Sequence, residues 1–232
     1  MEEHFPITAL LPMKEKSERV PEKNMRLFDG EPLCCRIMET LEKSRFISRI
    51  IVNTDSPQIA TTASRFSKIV IHERPAYLIG NQVPMNDIIA YDIEQESGGV
   101  STHYLQTHAT NPLLSSETID RAVSAYFANL HRYDALFSVT RLQTRLYFSD
   151  GKPVNHDPKI LLNTQDLPLL YEENSCIYLF SGKTIRNSGR RIGNNPILFP
   201  IPKLEAIDID TEDDFRLAEA VFVAMRKEKI FL

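Results

Sequence analysis

The stretch RIIVNTDSPQIATTASRFSKIVIH, residues 49–72, decides the fold. RIIVNTD (49–55) reads as a strand that ends in a polar turn, SPQIATTASRF (56–66) as a helix and KIVIH (68–72) as a second strand. A helix joining two such strands is a crossover, and crossovers join parallel neighbours. The unit recurs outward. On the N-terminal side, ITALLPM (7–13) reads as a buried strand. PLCCRIMETLEKS (32–44) carries apolar residues at 33, 34, 37, 38 and 41, one face of a helix that takes Cys34 and Cys35 into the core. On the C-terminal side come MNDIIAYDIEQES (85–97), a helix stopped by Gly98-Gly99, and the strand STHYLQ (101–106). SSETIDRAVSAYFANLH (115–131) follows, a helix with a serine N-cap and a stripe of Ile119, Ala122, Val123, Tyr126 and Leu130. DALFSVT (134–140), NSCIYLF (174–180) and PILFPI (196–201) read as further strands. After KLEAIDID (203–210), TEDDFRLAEAVFVAMRKEK (211–229) is a last helix. Thr211 caps it, with acids in its first turn and cations in its last. Between 141 and 173 the texture changes to turn residues and three prolines, a hairpin-like excursion from the sheet. The expectation is one α/β domain over 1–232 with a mostly parallel sheet.

Composition narrows the function classes. The 232 residues are 42% hydrophobic and 25% charged, an ordinary globular profile, and the net charge of −4 argues against a general nucleic-acid binder. Three cysteines make no CxxC pair and fit a reducing compartment. The acidic start MEEHFPITALLPM does not read as a signal peptide, and no run of residues has the length of a membrane span. The expected location is the cytoplasm. The histidines show no zinc spacing, and GxGxxG, GxxxxGK[ST] and GxSxG are all absent. Arg190-Arg191 reads as part of a loop facing solvent.

Two features carry chemistry. In LLPMKEKSERVPEKN (10–24) an apolar run ends and Lys14, Lys16, Arg19 and Lys23 alternate with three glutamates, without a glycine. Alone, such a loop reads either as a charge-balanced surface or as a grip on an anion. It follows the first strand, so it lies at the sheet edge where ligands of α/β folds bind. The second feature is Asp208-Ile209-Asp210. On a strand, both carboxylates face one way while Ile209 faces the core. Two convergent acids suit a hard cation such as Mg²⁺; a polar strand end beside a helix cap is the other reading. Cations for a polyphosphate and acids for its magnesium are together the parts of a phosphoryl or nucleotidyl transfer site.

These residues resemble the acylneuraminate cytidylyltransferases, or CMP-sialic acid synthetases. The family's ARxxSKxxPxKN is similar to Pro12–Asn24, PMKEKSERVPEKN. Its TD strand end matches Asn53-Thr54-Asp55, and its RPAxLA matches Arg74-Pro75-Ala76-Tyr77-Leu78-Ile79. Its LQPTSPL resembles Leu105-Gln106 with Thr110-Asn111-Pro112-Leu113, and its NGAIYI resembles Asn174–Leu179. Its SIDIDTExDLxxAE is nearly reproduced by Ala206–Glu219, AIDIDTEDDFRLAE. The matches run in order over almost the whole chain.

The resemblance implies a Rossmann-like, three-layer α/β/α nucleotidyltransferase fold. It implies transfer of CMP from CTP to the anomeric hydroxyl of a sugar acid, with Mg²⁺ as cofactor and loss of pyrophosphate. Lys14, Ser17, Arg19 and Lys23 would hold the triphosphate, and Asn24 and Arg74 the cytidine side. Asp208 and Asp210 would hold Mg²⁺, with Asp210 also acting on the attacking hydroxyl. Gln106 and, from the excursion, Arg145 would meet the sugar. Asp210, Lys23 and Arg19 are the implied catalytic groups. The excursion, 141–173, would build a homodimer and reach toward the partner's site.

Departures point to the sugar. The family's first-loop arginine is Lys14 here, and its SK lysine is Glu18, with Arg19 beside it to compensate. Where relatives carry arginines for the sugar carboxylate, this chain has Thr164-Gln165-Asp166 and Tyr171-Glu172-Glu173. The expectation is an amino-bearing or less acidic sugar. A CMP-KDO synthetase, another nucleotide–sugar pair on the same fold, and a catalytically weak nucleotide-binding homologue are the competing readings.

Overall fold

The strand expected at 7–13 forms as Ile7–Met13, and every one of its residues is buried. Such a run belongs at the centre of a parallel sheet covered on both faces. The structure, a computed structural model, describes residues 6–17, 19–96 and 102–228. In chain order the elements are β1 (Ile7–Met13), β2 (Leu27–Phe28), β3 (Glu31–Pro32), α1 (Leu33–Lys43), β4 (Ile47–Thr54), α2 (Pro57–Ala63), β5 (Ile69–Glu73), α3 (Met85–Gln95), β6 (His103–Gln106), α4 (Ser116–Ala128), β7 (Ala135–Leu142), β8 (Leu170–Ser181), α5 (Gly182–Ser188), β9 (Pro196–Pro200) and α6 (Glu212–Lys227). Seven strands form one sheet in the order β5-β4-β1-β6-β8-β7-β9. Its pairs are parallel except those made by β8, which runs antiparallel to both β6 and β7.

The period-two alternation of the strands splits the core into two layers. From β1, Ala9 and Leu11 pack with α1, α2 and α4 on one face, while Leu10 packs with Ile89 of α3 and Tyr104 on the other. Ile185 of α5 joins that second face. This is the three-layer α/β/α arrangement that the resemblance implies. Each fully buried Leu or Ile contributes about 1.5–3 kcal/mol relative to exposure. Cys34 and Cys35 are buried on α1, as its apolar face requires. The caps form as read: Ser115 accepts from Thr118 N, and Thr211 makes a reciprocal capping box with Asp214. No helix among the described residues is long and apolar enough to cross a membrane.

Three expectations change, and one element was not read from the sequence. Leu130 lies beyond α4 and is 38% exposed, so the stripe ends at Tyr126. Residues 181–188, unread from sequence, begin a short helix whose cap is a Ser181–Thr184 box. The excursion is narrower than 141–173, because β7 claims 141–142 and β8 begins at Leu170. The hairpin-like link therefore covers 143–169. Finally, Asp208-Ile209-Asp210 does not lie on a strand; it is coil that follows a turn at 203–206. Gly98, Gly99 and Ser101 lie outside the described residues.

β8 is twelve residues long and bent. Between the pairs Phe137–Tyr178 and Val139–Glu173, the four residues Asn174 to Ile177 oppose Ser138 alone. Ser175 takes φ 60°, a left-handed conformation unusual for a side chain. Side chains supply what the ladder loses there. Ser138 Oγ donates to Asn174 Oδ1 (2.6 Å) and accepts from Ile177 N (2.8 Å), and Asn174 Nδ2 donates to Thr140 Oγ1 (3.1 Å).

Candidate active site

The strand order reverses direction between β1 and β6, with β4 on the other side of β1. That switch point opens a crevice beyond the carboxyl ends of the strands. A cavity of about 390 Å³ lies there, and its walls include Lys14, Ser17, Arg19, Lys23, Asn24 and Arg74. The structure thus brings all six residues of the expected nucleotide side to one place. Glu18 lies outside the described residues.

The loop is held by its own side chains. Val20, fully buried against Phe28, Leu33 and Ile209, plugs it into a small core under α6. Asn24 Nδ2 donates to the Lys14 carbonyl (3.0 Å), and Glu15 N donates to Asp55 Oδ1 (2.8 Å). Lys14 Nζ donates to Asn81 Oδ1 (2.6 Å) across the cavity mouth. Arg74 is buried beneath: its Nε donates to Asn53 Oδ1 (2.6 Å) and its Nη2 to the Asn53 and Met13 carbonyls (2.9 and 3.3 Å). Asn53 also donates to Asp92 Oδ1 (2.7 Å), which meets His72 Nδ1 at 2.9 Å. Asn24 and Arg74 therefore line the cavity and also fix the turn that leaves β1.

The acidic segment keeps its alternation without being a strand. Ile209 is buried, and its N–H donates to the Thr110 carbonyl (2.9 Å). Upstream, the buried Glu205 carboxylate accepts from Ser115 N and Oγ (both 3.0 Å) and from Thr118 Oγ1 (2.9 Å) at the start of α4. These bonds to the β6–α4 connection do the work that a strand ladder was expected to do. Arg19 Nη2 lies 2.7 Å from Asp210 Oδ1 and Lys23 Nζ 3.9 Å from it, while Lys23 also donates to the Ile209 carbonyl. Loop cations and acids therefore meet. Burial pushes the Lys23 pKa down, against the pull of Asp210 and Asp208. Burial pushes Asp208 up, opposed by a hydrogen bond from Thr110 and assisted by Asp210.

Asp208 Oδ1 is buried with no hydrogen-bond partner. A buried carboxylate oxygen left unsatisfied beside a second acid and a cationic loop fits a divalent cation, since Mg²⁺ takes one or two carboxylates and completes its shell with water and phosphates. Among the described residues no group of three or more acids, histidines or cysteines gathers into a larger metal cage.

Gln106, at the end of β6, is fully buried. Its Oε1 accepts from Arg191 Nη1 (2.7 Å), and its Nε2 donates to the Thr107 carbonyl (2.7 Å) and lies 3.1 Å from His108 Nε2. Arg191 thus corrects the solvent-facing expectation for the arginine pair: its guanidinium stacks 3.8 Å over the Tyr178 ring, while Arg190 alone is exposed. Two adjacent arginines look alike in sequence, and only the tertiary stack separates them. His108 lines the cavity wall. Burial, with Arg191 and Lys23 nearby, pushes its pKa down to about 3, so it is a neutral imidazole. Arg145 lies elsewhere, donating to the Leu162 carbonyl within the excursion.

Comparison with known proteins places the chain in a family and agrees with the fold. The family model described as Cytidylyltransferase matches residues 8–229. The chain is 26% identical over 212 residues to "Post-translational flagellin modification protein B" of Campylobacter coli, covering 88% of this chain and 89% of that one. It is 22% identical over 222 residues to "Pseudaminic acid cytidylyltransferase" of Campylobacter jejuni subsp. jejuni serotype O:2, covering 92% and 95%. The solved structure of CMP:2-keto-3-deoxy-manno-octonic acid synthetase complexed with CTP superposes with a TM-score of 0.70 at 13% identity, over 94% of this chain and 99% of that one.

Proposed function

The chain belongs to the cytidylyltransferase family, and from that membership we propose that it transfers CMP from CTP to the anomeric hydroxyl of a nonulosonic sugar acid, with release of pyrophosphate. The observation that carries the reading is the meeting of Arg19 and Lys23 with Asp210 at the mouth of a cavity lined by Lys14 and Ser17. A relative named for pseudaminic acid, aligned over nearly its whole length, supports the sugar class.

In this reading the anomeric oxygen forms a bond to the α-phosphorus and the bond to the pyrophosphate oxygen breaks. The barrier lies in charge gathering on the phosphates, which fixed cations in a partly desolvated site relieve. Lys14, Ser17, Arg19 and Lys23 bind the triphosphate from side chains. Asn24 and Arg74 shape the nucleoside end, and Asp210 orients the attacking hydroxyl and takes its proton. Asp208 and Asp210 would hold magnesium, which when bound supplies further neutralisation of phosphate charge. Gln106, buried and bonded to Arg191, faces the sugar side.

Exposed apolar side chains on the excursion, among them Tyr147, Phe148, Ile160 and Leu161, support a homodimer built there, with Arg145 carried toward the partner's site. Glu172 and Glu173, the latter accepting from the Tyr178 hydroxyl, support an amino-bearing or less acidic sugar; highest efficiency with plain N-acetylneuraminate would sink that choice. A reducing, cytoplasmic setting fits three free, buried cysteines.

The test supplies Mg²⁺, each of the four nucleoside triphosphates and a panel of sugar acids, and follows pyrophosphate. Release with CTP and one nonulosonic acid is expected. Preference for an octulosonic acid moves the assignment to that sugar. No release with any pair, while CTP still raises the melting temperature, leaves a nucleotide-binding homologue and overturns the reading.

A further inference from the structure

The cavity that holds the loop cations shares the wall residue Met85 with a smaller recess of about 230 Å³ lined also by Asn86, Glu173, Arg190, Arg191 and Ile192. The two spaces are joined a second way, by the chain Arg191–Gln106–His108, whose last member lines the larger cavity. Resting on the cytidylyltransferase reading above, we propose that this recess is the acid subsite for the acceptor sugar, and that Arg191 is the specificity-determining residue that reads its carboxylate.

Three observations carry the assignment. Arg191 is preorganised. Its guanidinium carbon lies 3.8 Å over the Tyr178 ring centroid, that ring itself stacks on Phe137 at 6.4 Å, and one nitrogen is committed to Gln106. A planar fork fixed at one end presents its remaining donors in the geometry a carboxylate accepts. The recess also carries two arginines against one glutamate, a surplus positive charge that an acid ligand balances. Position is the third. In a 2-keto sugar acid the carboxylate sits on the anomeric carbon, the same carbon that bears the attacking hydroxyl. Its partner must therefore stand beside the nucleotide cavity. Arg191 stands there, one side chain away from His108. Arg145 is bonded to Leu162 within the excursion and lines neither space.

The experiment compares wild type and Arg191→Met for pyrophosphate release with Mg²⁺, CTP and the preferred sugar acid, and then with that acid's primary amide. The wild type is expected to favour the acid on the order of 100-fold in kcat/KM, the size of a charge-assisted bidentate contact. The variant should reduce that ratio to about 5-fold or less while KM for CTP stays unchanged. A merely structural role for Arg191 lowers both activities together and preserves the ratio, and that result overturns the proposal. Arg191→Gln, which keeps a donor for Gln106 and removes the charge, serves if the methionine variant does not fold; an undiminished ratio there overturns it equally. If the wild type turns over no sugar acid at all, the functional reading falls and the subsite with it. An active wild type with a ratio insensitive to residue 191 removes the subsite alone.

Discussion

Gly193 decides where Arg191 stands, and replacing it by alanine tests the whole arrangement. The α5 helix ends at Gly189, and the loop that follows turns through Gly193 at φ 63°. A left-handed alanine costs about 1 kcal/mol. A Cβ there would also lie 2.8 Å from Asp134 Cγ and 3.0 Å from Oδ2, and closer still to Oδ1. That carboxylate is not free to swing away, because it accepts from Asn194 N and Asn195 N, both at 2.9 Å. Displacing it weakens two charge-assisted bonds. At a half-exposed loop each is worth about 1 kcal/mol after solvent screening. Gly193→Ala should therefore destabilise by about 2–4 kcal/mol and lower the melting temperature by about 8 °C in a chain of this size. Because the same loop carries Arg191, KM for the sugar acid should rise while the thermal shift given by CTP is kept. In an Asp134→Ala background the clash is gone, and the alanine should cost only its backbone strain. A melting temperature within about 1 °C of wild type would refute the packing argument. A large drop with unchanged KM would refute the link from Gly193 to Arg191.

Asp210→Asn should abolish turnover by at least about 100-fold with the fold intact by circular dichroism; retained activity removes Asp210 from the catalytic set. His108 titrates near 3 in the folded chain against 6.5 in the unfolded one. The unfolded chain thus takes up its proton first as pH falls, and the stability this group contributes is full above pH 6.5 and lost on the way toward pH 3. His108→Gln should flatten the acid limb of a urea-midpoint profile between about pH 6.5 and 4.5, and a parallel limb would refute its buried neutral state. Leu161 is 92% exposed on the excursion. Leu161→Glu combined with Ile160→Glu should convert a dimer to monomer in analytical ultracentrifugation without loss of helix signal, whereas a wild type that is monomeric at micromolar concentration ends the dimer proposal.

The sheet was legible because burial writes itself into sequence as periodicity. Ile7–Met13 is a largely apolar run and Ile50–Val52 the apolar centre of β4; both strands became inner ones. The cationic loop was legible as half of a site only through Asp208 and Asp210, far away in sequence. Arg191 stayed hidden for the converse reason. Nothing local distinguishes it from Arg190; its role comes from Tyr178 and Gln106 on two other strands. Asp208-Ile209-Asp210 misled because alternate burial does not require a hydrogen-bonded strand. Here Thr110 and the Glu205–Ser115 contacts hold it in place without a ladder. The α5 helix went unread because seven residues give too few turns for an apolar stripe.

The bent strand β8 has a mechanical meaning. Its first residues leave the excursion, its middle is clamped at Ser138, and its last third carries Tyr178, the ring beneath Arg191. The arm and the pocket are thus the two ends of one beam, and the clamp at its middle acts as a fulcrum. Load applied to the outer end travels along covalent backbone to the stacking ring, with no loose linker in between to absorb it. Whatever seats on the arm would be felt at the pocket as torque.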